Sequence, residues 1–446
     1  MTQETTSTLD VSTLDDTARA RVAVLDDLVW RGLVADSTDL EALRAAAVEG
    51  PVTLYCGFDP TAPSLHMGNL LQILTVRRFQ LAGHRPLALV GGATGLIGDP
   101  KESGERTLNP VDLVEQWVAR IRSQLERFFE FDGVPNAAVM VNNYDWTQGL
   151  STLEFLRDVG KHFSVNRMLD REAVAARLAG AGISYTEFSY QLLQSYDYLQ
   201  LFRQFGCTLQ TGGSDQWGNI VAGVDLIRRV EGARVHALTT PLVTKADGTK
   251  FGKTESGTVW LDAGLTSPYA FFQFWLNTED SIAGTLLRMF SFRPHEEIEA
   301  LEESLRERPQ AREAQRALAE ELTDLVHGAT ERGKVDAAAR ALFGQGDVAD
   351  LDAATLDAAL AEAPHAVVGA EEWAEGLSVA DALARSGLVA SKGAARRTIS
   401  EGGAYVGNVR VTDEGAALTP TDLLHGRWIL LRRGRRHIGG IRVDGA

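Results

Sequence analysis

Cysteine is scarce: Cys56 and Cys207 are the only two in 446 residues. So few exclude a disulfide scaffold and fit a reducing, cytoplasmic setting. No apolar run approaches the roughly 20 residues of a membrane helix, so no membrane partner is expected. Residues 1–16 are rich in Thr, Ser and Asp and have no basic start. They do not read as a secretory signal, and 1–20 is expected to be a disordered tail. No cluster shows metal-ligand spacing, and no internal repeat dominates. What is present is an ordinary globular composition, 44% hydrophobic and 23% charged, long enough for two or three domains.

Basic charge is short overall. The net charge of −16 argues against a nucleic-acid partner if it is evenly spread. It is not. Residues 378–446 hold eleven Lys and Arg against six Asp and Glu, a net of +5 that leaves −21 on the rest. Arg432, Arg433, Arg435 and Arg436 flank Gly434. A basic terminal module on an acidic body is an electrostatic footprint for RNA, although such a run can also be a solvated face.

The most informative stretch is 55–69, Tyr-Cys-Gly-Phe-Asp-Pro-Thr-Ala-Pro-Ser-Leu-His-Met-Gly-Asn. An apolar run reads as a buried strand, the Gly/Pro/Ser cluster as a turn, and 65–80 as a helix with Leu70, Leu71, Leu74 and Phe79 on one face. His66 and Gly68 then lie in the first turn of that helix. Its free N–H groups and dipole suit an anion such as a nucleotide phosphate. Alone the motif is weak, because most strand–turn–helix units bind nothing.

Strand candidates at 52–58, 86–90, 138–142, 208–211, 236–243 and 259–261 alternate with helix candidates at 65–82, 109–131, 151–158, 171–179, 186–205 and 214–230. The alternation predicts an α/β fold, a parallel sheet wrapped by helices, with ligands at the carboxyl ends of its strands. Gly-rich turns at 91–99 and 212–216 follow strands, as the opening motif does. Residues 267–345 read as helical and 346–376 as an Ala/Asp/Glu-rich linker or a poorly packed helix. The 377–446 block reads as two short helices followed by strands.

A polar loop at 245–254 carries Lys245, Lys250 and Lys253. Such a loop can close over a triphosphate; taken singly it could equally be a surface loop. With it, the set resembles a family. His66-Met-Gly-Asn69 and Lys250-Phe-Gly-Lys253-Thr254 look like the "HIGH" and "KMSKS" signatures of class I aminoacyl-tRNA synthetases. The runs at 55–61, 90–100, 161–166, 189–194 and 213–218 are similar to bacterial tyrosyl-tRNA synthetases. The resemblance extends from about residue 22 to the C-terminus, whose last block looks like an S4-type RNA-binding domain.

The resemblance implies a Rossmann-like doubly wound catalytic domain at 21–266, a helical tRNA-binding domain at 267–345, a linker, and an S4-like domain at 377–446. It implies tyrosine activation with ATP, then transfer to the terminal adenosine of tRNA(Tyr). Tyr55 and Asp197 are assigned to the substrate hydroxyl. Asp99, Tyr190 and Gln194 are assigned to its α-ammonium, and Gln216 lies near its carboxylate. Tyr190, Gln194 and Asp197 also share one helix face by spacing. Cys56, Gly57, Asp59 and Asp215, with Lys253, match ATP positions. Thr61, His66, Asn69, Lys250, Lys253 and Thr254 match the groups that stabilise the triphosphate. None of them needs to be a nucleophile, because the tyrosine carboxylate attacks.

Asn69 departs from the family, standing where the second His of "HIGH" is expected. It can still donate to a ribose oxygen. Mg²⁺ would arrive with ATP as a substrate ion, and no protein-held metal is expected. Arg106, Lys392, Arg396, Arg397, Arg432, Arg433, Arg435 and Arg436 are the candidate tRNA contacts, and the family is typically a homodimer. Two other readings stay open: a non-catalytic RNA-binding protein on a synthetase scaffold, and a synthetase for another aromatic amino acid.

Overall fold

The computed structural model describes residues 14–445, apart from 101–103, 105–107, 181, 245–248, 250, 255–256 and 435–436. It divides into two compact units. One comprises Met1–Asp262 and Asp280–Ala300, the other Ala263–Glu279 and Leu301–Ala446.

The first unit is built on six strands: β1 (Asp36–Ser37), β2 (Thr53–Phe58), β3 (Arg85–Val90), β4 (Val139–Asn142), β5 (Cys207–Gly213) and β6 (His236–Thr240). Their order is β1-β6-β5-β2-β3-β4. All pairs are parallel except β1 with β6. Leu54, Leu87, Leu209 and Leu238 are fully buried. Helices cover both faces, which is why these strands read as apolar runs without alternation. Strand order reverses between β2 and β5, so a crevice opens at their carboxyl ends. The three Gly-rich turns expected from the sequence end at this edge.

Boundaries shift in places. The strand expected at 236–243 stops at Thr240. Instead of a strand at 259–261, a short hairpin forms from β7 (Lys253–Thr254) and β8 (Gly257–Thr258), followed by a bridge between Trp260 and His66. The helix expected at 151–158 breaks into Thr152–Glu154 and a π turn, Phe155–Val159. At the start of the chain, a helix runs from Asp16 to Trp30, with Asp15 Oδ1 accepting from Ala18 N at 2.7 Å. Residues 16–20 are therefore helical rather than tail. Val22, Leu25 and Leu28 bury its inner face.

The helix Asp280–Phe290 belongs to the first unit, although the sequence suggested a clean boundary at 267. Two buried arginines explain this. Arg31 Nη1 donates to Ser291 O at 2.8 Å, and Arg78 Nη2 donates to the same oxygen at 2.6 Å.

The second unit contains the helices Pro268–Leu276, Glu313–His327, Ala329–Leu342 and Ala353–Ala361. It also holds a sheet ordered β11-β10-β12-β13-β9. Those strands are β9 (His365–Gly369), β10 (Ala404–Val406), β11 (Val409–Val411), β12 (Trp428–Arg433) and β13 (His437–Asp444). Helices Val379–Arg385 and Lys392–Ser400 supply apolar residues to its core. The 346–376 stretch, expected as a linker or a poorly packed helix, packs as regular structure. Its helix buries Leu356, Ala359 and Leu360, and β9 joins the sheet parallel to β13.

Candidate active site

Tyr55 stands in β2 with its ring against Tyr198, centroids 5.3 Å apart. Its hydroxyl is buried without a hydrogen-bond partner. Burial, then the charge of Asp197, hold that hydroxyl well above the ordinary tyrosine range, so it stays a neutral donor. Asp197, on the helix Tyr185–Phe205, is 2% exposed. Its Oδ1 accepts from Trp146 Nε1 at 2.8 Å and its Oδ2 from Asn143 Nδ2 at 2.9 Å. Burial pushes its carboxyl up to about 7, against the opposing effect of those two donors. A donor and a carboxylate in one dry place match a ligand group that both accepts and donates, which is a hydroxyl. A ligand lacking that hydroxyl would leave both unsatisfied.

Two turns earlier on the same helix, Tyr190 OH donates to Asp59 Oδ2 at 2.6 Å. Thr94 Oγ1 donates to Asp59 Oδ1 at 2.6 Å and accepts from Asn143 Nδ2 at 2.8 Å. Gln194 Oε1 is buried and unpartnered. Across the crevice, Gln216 Nε2 donates to Asp99 Oδ2 at 2.8 Å, and Asn219 Nδ2 to Asp99 Oδ1 at 3.2 Å. Burial raises the Tyr190 hydroxyl, and Asp59 and Asp99 add to the shift. Two carboxylates beside a neutral phenol favour a cation, as an α-ammonium would be. Asp59 was assigned to ATP, yet both its oxygens bind groups on the amino-acid side. Gly91 is required here: a Cβ on it would fall 2.0 Å from Asp59 Oδ1.

The nucleotide side begins where β2 ends. Gly57 is exposed on a strand otherwise largely buried, and Thr61 is exposed after it. Cys56 is buried, and burial pushes its thiol up to about 12, so it acts as a small apolar residue and not a nucleophile. Asp215 lies in the turn Ser214–Gln216 that follows β5. His66 caps the helix Met67–Leu81, its Nδ1 accepting from Gly68 N at 3.0 Å. That bond assigns the ring proton to Nε2, which makes Nε2 a donor. Asn69 Oδ1 accepts in return from His66 N at 3.1 Å. Asn69 therefore closes a capping box, a job that its amide oxygen performs.

The two signature motifs are locked together. Met67 N donates to Val259 O at 3.1 Å, Val259 N to Gly252 O at 2.9 Å and Leu261 N to Leu65 O at 2.9 Å. The rings of His66 and Trp260 meet with centroids 6.1 Å apart. Gly252 has φ 87°, and a Cβ there would lie 2.5 Å from Met67 Cβ. Lys253 and Thr254 follow directly in β7. Lys250, Arg106, Arg435 and Arg436 lie outside the described residues.

In the terminal module, Lys392 pairs with Asp381 at 2.8 Å, and Arg396, Arg397 and Arg433 are exposed. Arg432 departs from the expected role. It is 6% exposed, and its guanidinium donates to Asn408 Oδ1 at 2.8 Å and Phe343 O at 3.4 Å.

Sequence reasoning missed Asn143, Trp146, Thr94 and Asn219. Asn143 and Trp146 come just after β4, at the carboxyl edge where ligands bind, and that placement was the available signal. It also missed a cavity of about 420 Å³ lined by Arg167, Arg171, Arg228 and Arg229, with Trp217 in its wall. Among the described residues, no group of three or more His, Cys, Asp or Glu is placed to hold a metal.

The family model for tRNA synthetases class I (W and Y) matches residues 47–344. The chain belongs to that family. The model for the tyrosine–tRNA ligase SYY-like C-terminal domain matches 357–438. The tyrosine–tRNA ligase of Streptomyces avermitilis is 64% identical over 424 residues, covering 95% of this chain and 99% of that one. That of Thermobifida fusca is 60% identical over 427 residues, covering 94% and 99%. A C-terminally truncated mitochondrial tyrosyl-tRNA synthetase from Aspergillus nidulans superposes with TM-score 0.65 at 31% identity, covering 71% of this chain and 93% of that one. As a class I synthetase, the chain keeps its two signature motifs face to face at the mouth of the crevice.

Proposed function

We propose that this class I synthetase is an ATP-dependent tyrosine–tRNA ligase. The observation that carries the reading is the buried, unpartnered Tyr55 hydroxyl, close enough to the buried Asp197 carboxylate to feel its charge. The tyrosine carboxylate attacks the α-phosphorus of ATP. A carboxyl–phosphate bond forms, the α–β bridging bond breaks, and pyrophosphate leaves. A hydroxyl of the terminal adenosine of tRNA(Tyr) then attacks the acyl carbon and AMP leaves. Asp99, Tyr190, Gln194 and Gln216 orient the amino acid. Lys250 and Lys253 neutralise charge on the triphosphate, Thr61, His66 and Thr254 donate hydrogen bonds to it, and Asn69 fixes His66. Mg²⁺ enters with ATP.

The tRNA is met by phosphate contacts from the basic module, and Arg167, Arg228 and Arg229 around the cavity offer more. A homodimer is part of the proposal. Leu153 at 78%, Tyr185 at 68% and Val165 at 57% exposure are apolar area that a second copy would cover. No described helix is long and apolar enough to cross a membrane, and the proposed setting is the cytoplasm.

Pyrophosphate exchange with tyrosine, phenylalanine and tryptophan in turn tests the reading. Exchange driven by tyrosine alone is expected. Exchange driven by tryptophan would assign another aromatic substrate, and none with any of the three would indicate a non-catalytic RNA-binding protein.

A further inference from the structure

The helix Ala329–Leu342 ends in a turn at Gly344, φ 84°. Its last carbonyls face the hairpin of β10 and β11. That hairpin turns through Gly407 and Asn408, with Gly407 at φ 57°. A Gly in the first central position of a two-residue turn matches the twist of the strands. Asn408 Nδ2, at the tip, donates to Gly346 O at 2.9 Å and Ala341 O at 3.3 Å. Asn408 Oδ1 accepts from Arg432 Nη1 at 2.8 Å, and Arg432 Nη2 reaches Phe343 O at 3.4 Å. The guanidinium lies over the Tyr405 ring, 5.4 Å from its centroid. A Cβ on residue 344 would fall 2.7 Å from Arg432 Nη1, so the turn is closed against the arginine. A buried cation at a helix C-terminus also meets the favourable end of the dipole. At the other end of β12, Trp428 Nε1 donates to Asp357 Oδ1 at 2.7 Å.

We propose that Arg432 and Asn408 form a clasp that holds the basic terminal module in one orientation on the end of the Ala329–Leu342 helix, and that tRNA charging depends on this clasp while tyrosine activation does not. The proposal rests on the ligase reading. Arg432 is then a positioning residue. Its charge is spent on three protein groups, and Arg396, Arg397 and Arg433 are among the exposed cations that can meet phosphates. A tRNA bridging the helical segment and the module needs the two at fixed separation. A module free to reorient loses affinity in proportion to the time spent in the wrong pose.

The test uses the full chain with Arg432→Ala, Arg432→Lys and Asn408→Ala. Asn408 is exposed, so its substitution leaves the fold intact. Pyrophosphate exchange is expected to stay within about twofold of the parent, while KM for tRNA rises roughly tenfold in Arg432→Ala and Asn408→Ala. Lysine keeps the charge but not the two-pronged fork, so Arg432→Lys is expected not to restore charging. The salt dependence of tRNA binding is expected to keep its slope. Loss of a phosphate contact would instead lower that slope by about one. Nitroxide labels at Arg316→Cys and Glu401→Cys, both exposed, read the clasp directly, because the native Cys56 and Cys207 are buried. The parent should give one narrow distance, and Arg432→Ala and Asn408→Ala broad ones. Narrow distances in the variants, full rescue by lysine, or a reduced salt slope would each overturn the clasp. A parent that charges no tRNA, with variant distances still broadened, would sink the ligase reading and leave the clasp standing.

Discussion

Asn143 Nδ2 donates to both Thr94 Oγ1, at 2.8 Å, and Asp197 Oδ2, at 2.9 Å. This one amide joins the two ends of the amino-acid pocket. Thr94 continues to Asp59, and Asp59 to the Tyr190 hydroxyl. The carboxylate that meets the phenol and the carboxylate near the α-ammonium therefore belong to one buried network. Such networks hold a single geometry only when each member is satisfied.

Replacing Asn143 by Ala removes a donor from a buried carboxylate and another from the Thr94 hydroxyl, which keeps its bond to Asp59. Leaving such a group under-satisfied costs about 1–3 kcal/mol. KM for tyrosine is expected to rise roughly tenfold or more, with KM for ATP nearly unchanged. Steady-state exchange kinetics would show it, and equal loss on both substrates would count against the pairing.

Tyr55→Phe removes one of the two groups that require a substrate hydroxyl. The ratio of kcat/KM for tyrosine over phenylalanine should fall about tenfold, the worth of one such hydrogen bond. Phe keeps the packing against Tyr198, so thermal stability should hold or rise once the orphan hydroxyl is gone. An unchanged ratio would remove Tyr55 from the specificity pair.

The Asp197 carboxyl, at about 7, gives the pocket a pH dependence of definite sign. Desolvation favours its protonated form, so lowering the pH through 7 removes the ionised acceptor. KM for tyrosine is expected to rise by up to about tenfold per pH unit below 7 and to level off above it. Asp197→Asn should flatten the profile while weakening binding throughout. A profile that stays sloped in that variant would place the titration elsewhere.

What the sequence made legible follows from range. Apolar runs at 52–58 and 86–90 announce buried parallel strands, and the glycine-rich turns announce the ligand edge, because both signals are local. Asn143 and Trp146 stayed hidden because their partner Asp197 is 54 and 51 residues away. Arg432 and Arg433 look alike as charges, yet successive strand residues face opposite sides. One is buried in the clasp and the other exposed. The role of β9 was invisible for the same reason: it exists only by pairing with β13, some seventy residues on.

That pairing bears on where the chain can be cut. Ending it at 376 would keep β9 without β13 and uncover Val368, Leu356 and Leu360. Ending it at 345 removes the strand, its helix and the sheet together. The longer fragment is expected to be the less soluble and the more readily proteolysed, since an unpaired apolar edge invites association. Both should activate tyrosine and charge tRNA poorly. Sedimentation and limited trypsin digestion would compare them, and a longer fragment that is monomeric and resistant would mean β9 folds without its partner.

Gly252 ties the lysine loop to the helix start, and Gly252→Ala tests that tie. At φ 87° any side chain is strained, and the added methyl would meet Met67 Cβ at 2.5 Å. The methyl cannot be accommodated by a rotamer change, because the neighbouring atom is a Cβ next to the backbone. The loop must therefore move away from His66, taking Lys253 and Thr254 with it. The amino-acid pocket is built from β2, β3, β4, β5, the turns that follow them and the helix Tyr185–Phe205, so tyrosine binding should hardly change. The expected result is a fall in the rate of adenylate formation of at least about 100-fold, the scale of one lost charge-stabilising contact, with tyrosine affinity within twofold. Single-turnover kinetics separates the two. Tyrosine affinity lost along with rate would show that the loop also shapes the amino-acid pocket, and an unchanged rate would show that loop placement is not set by Gly252.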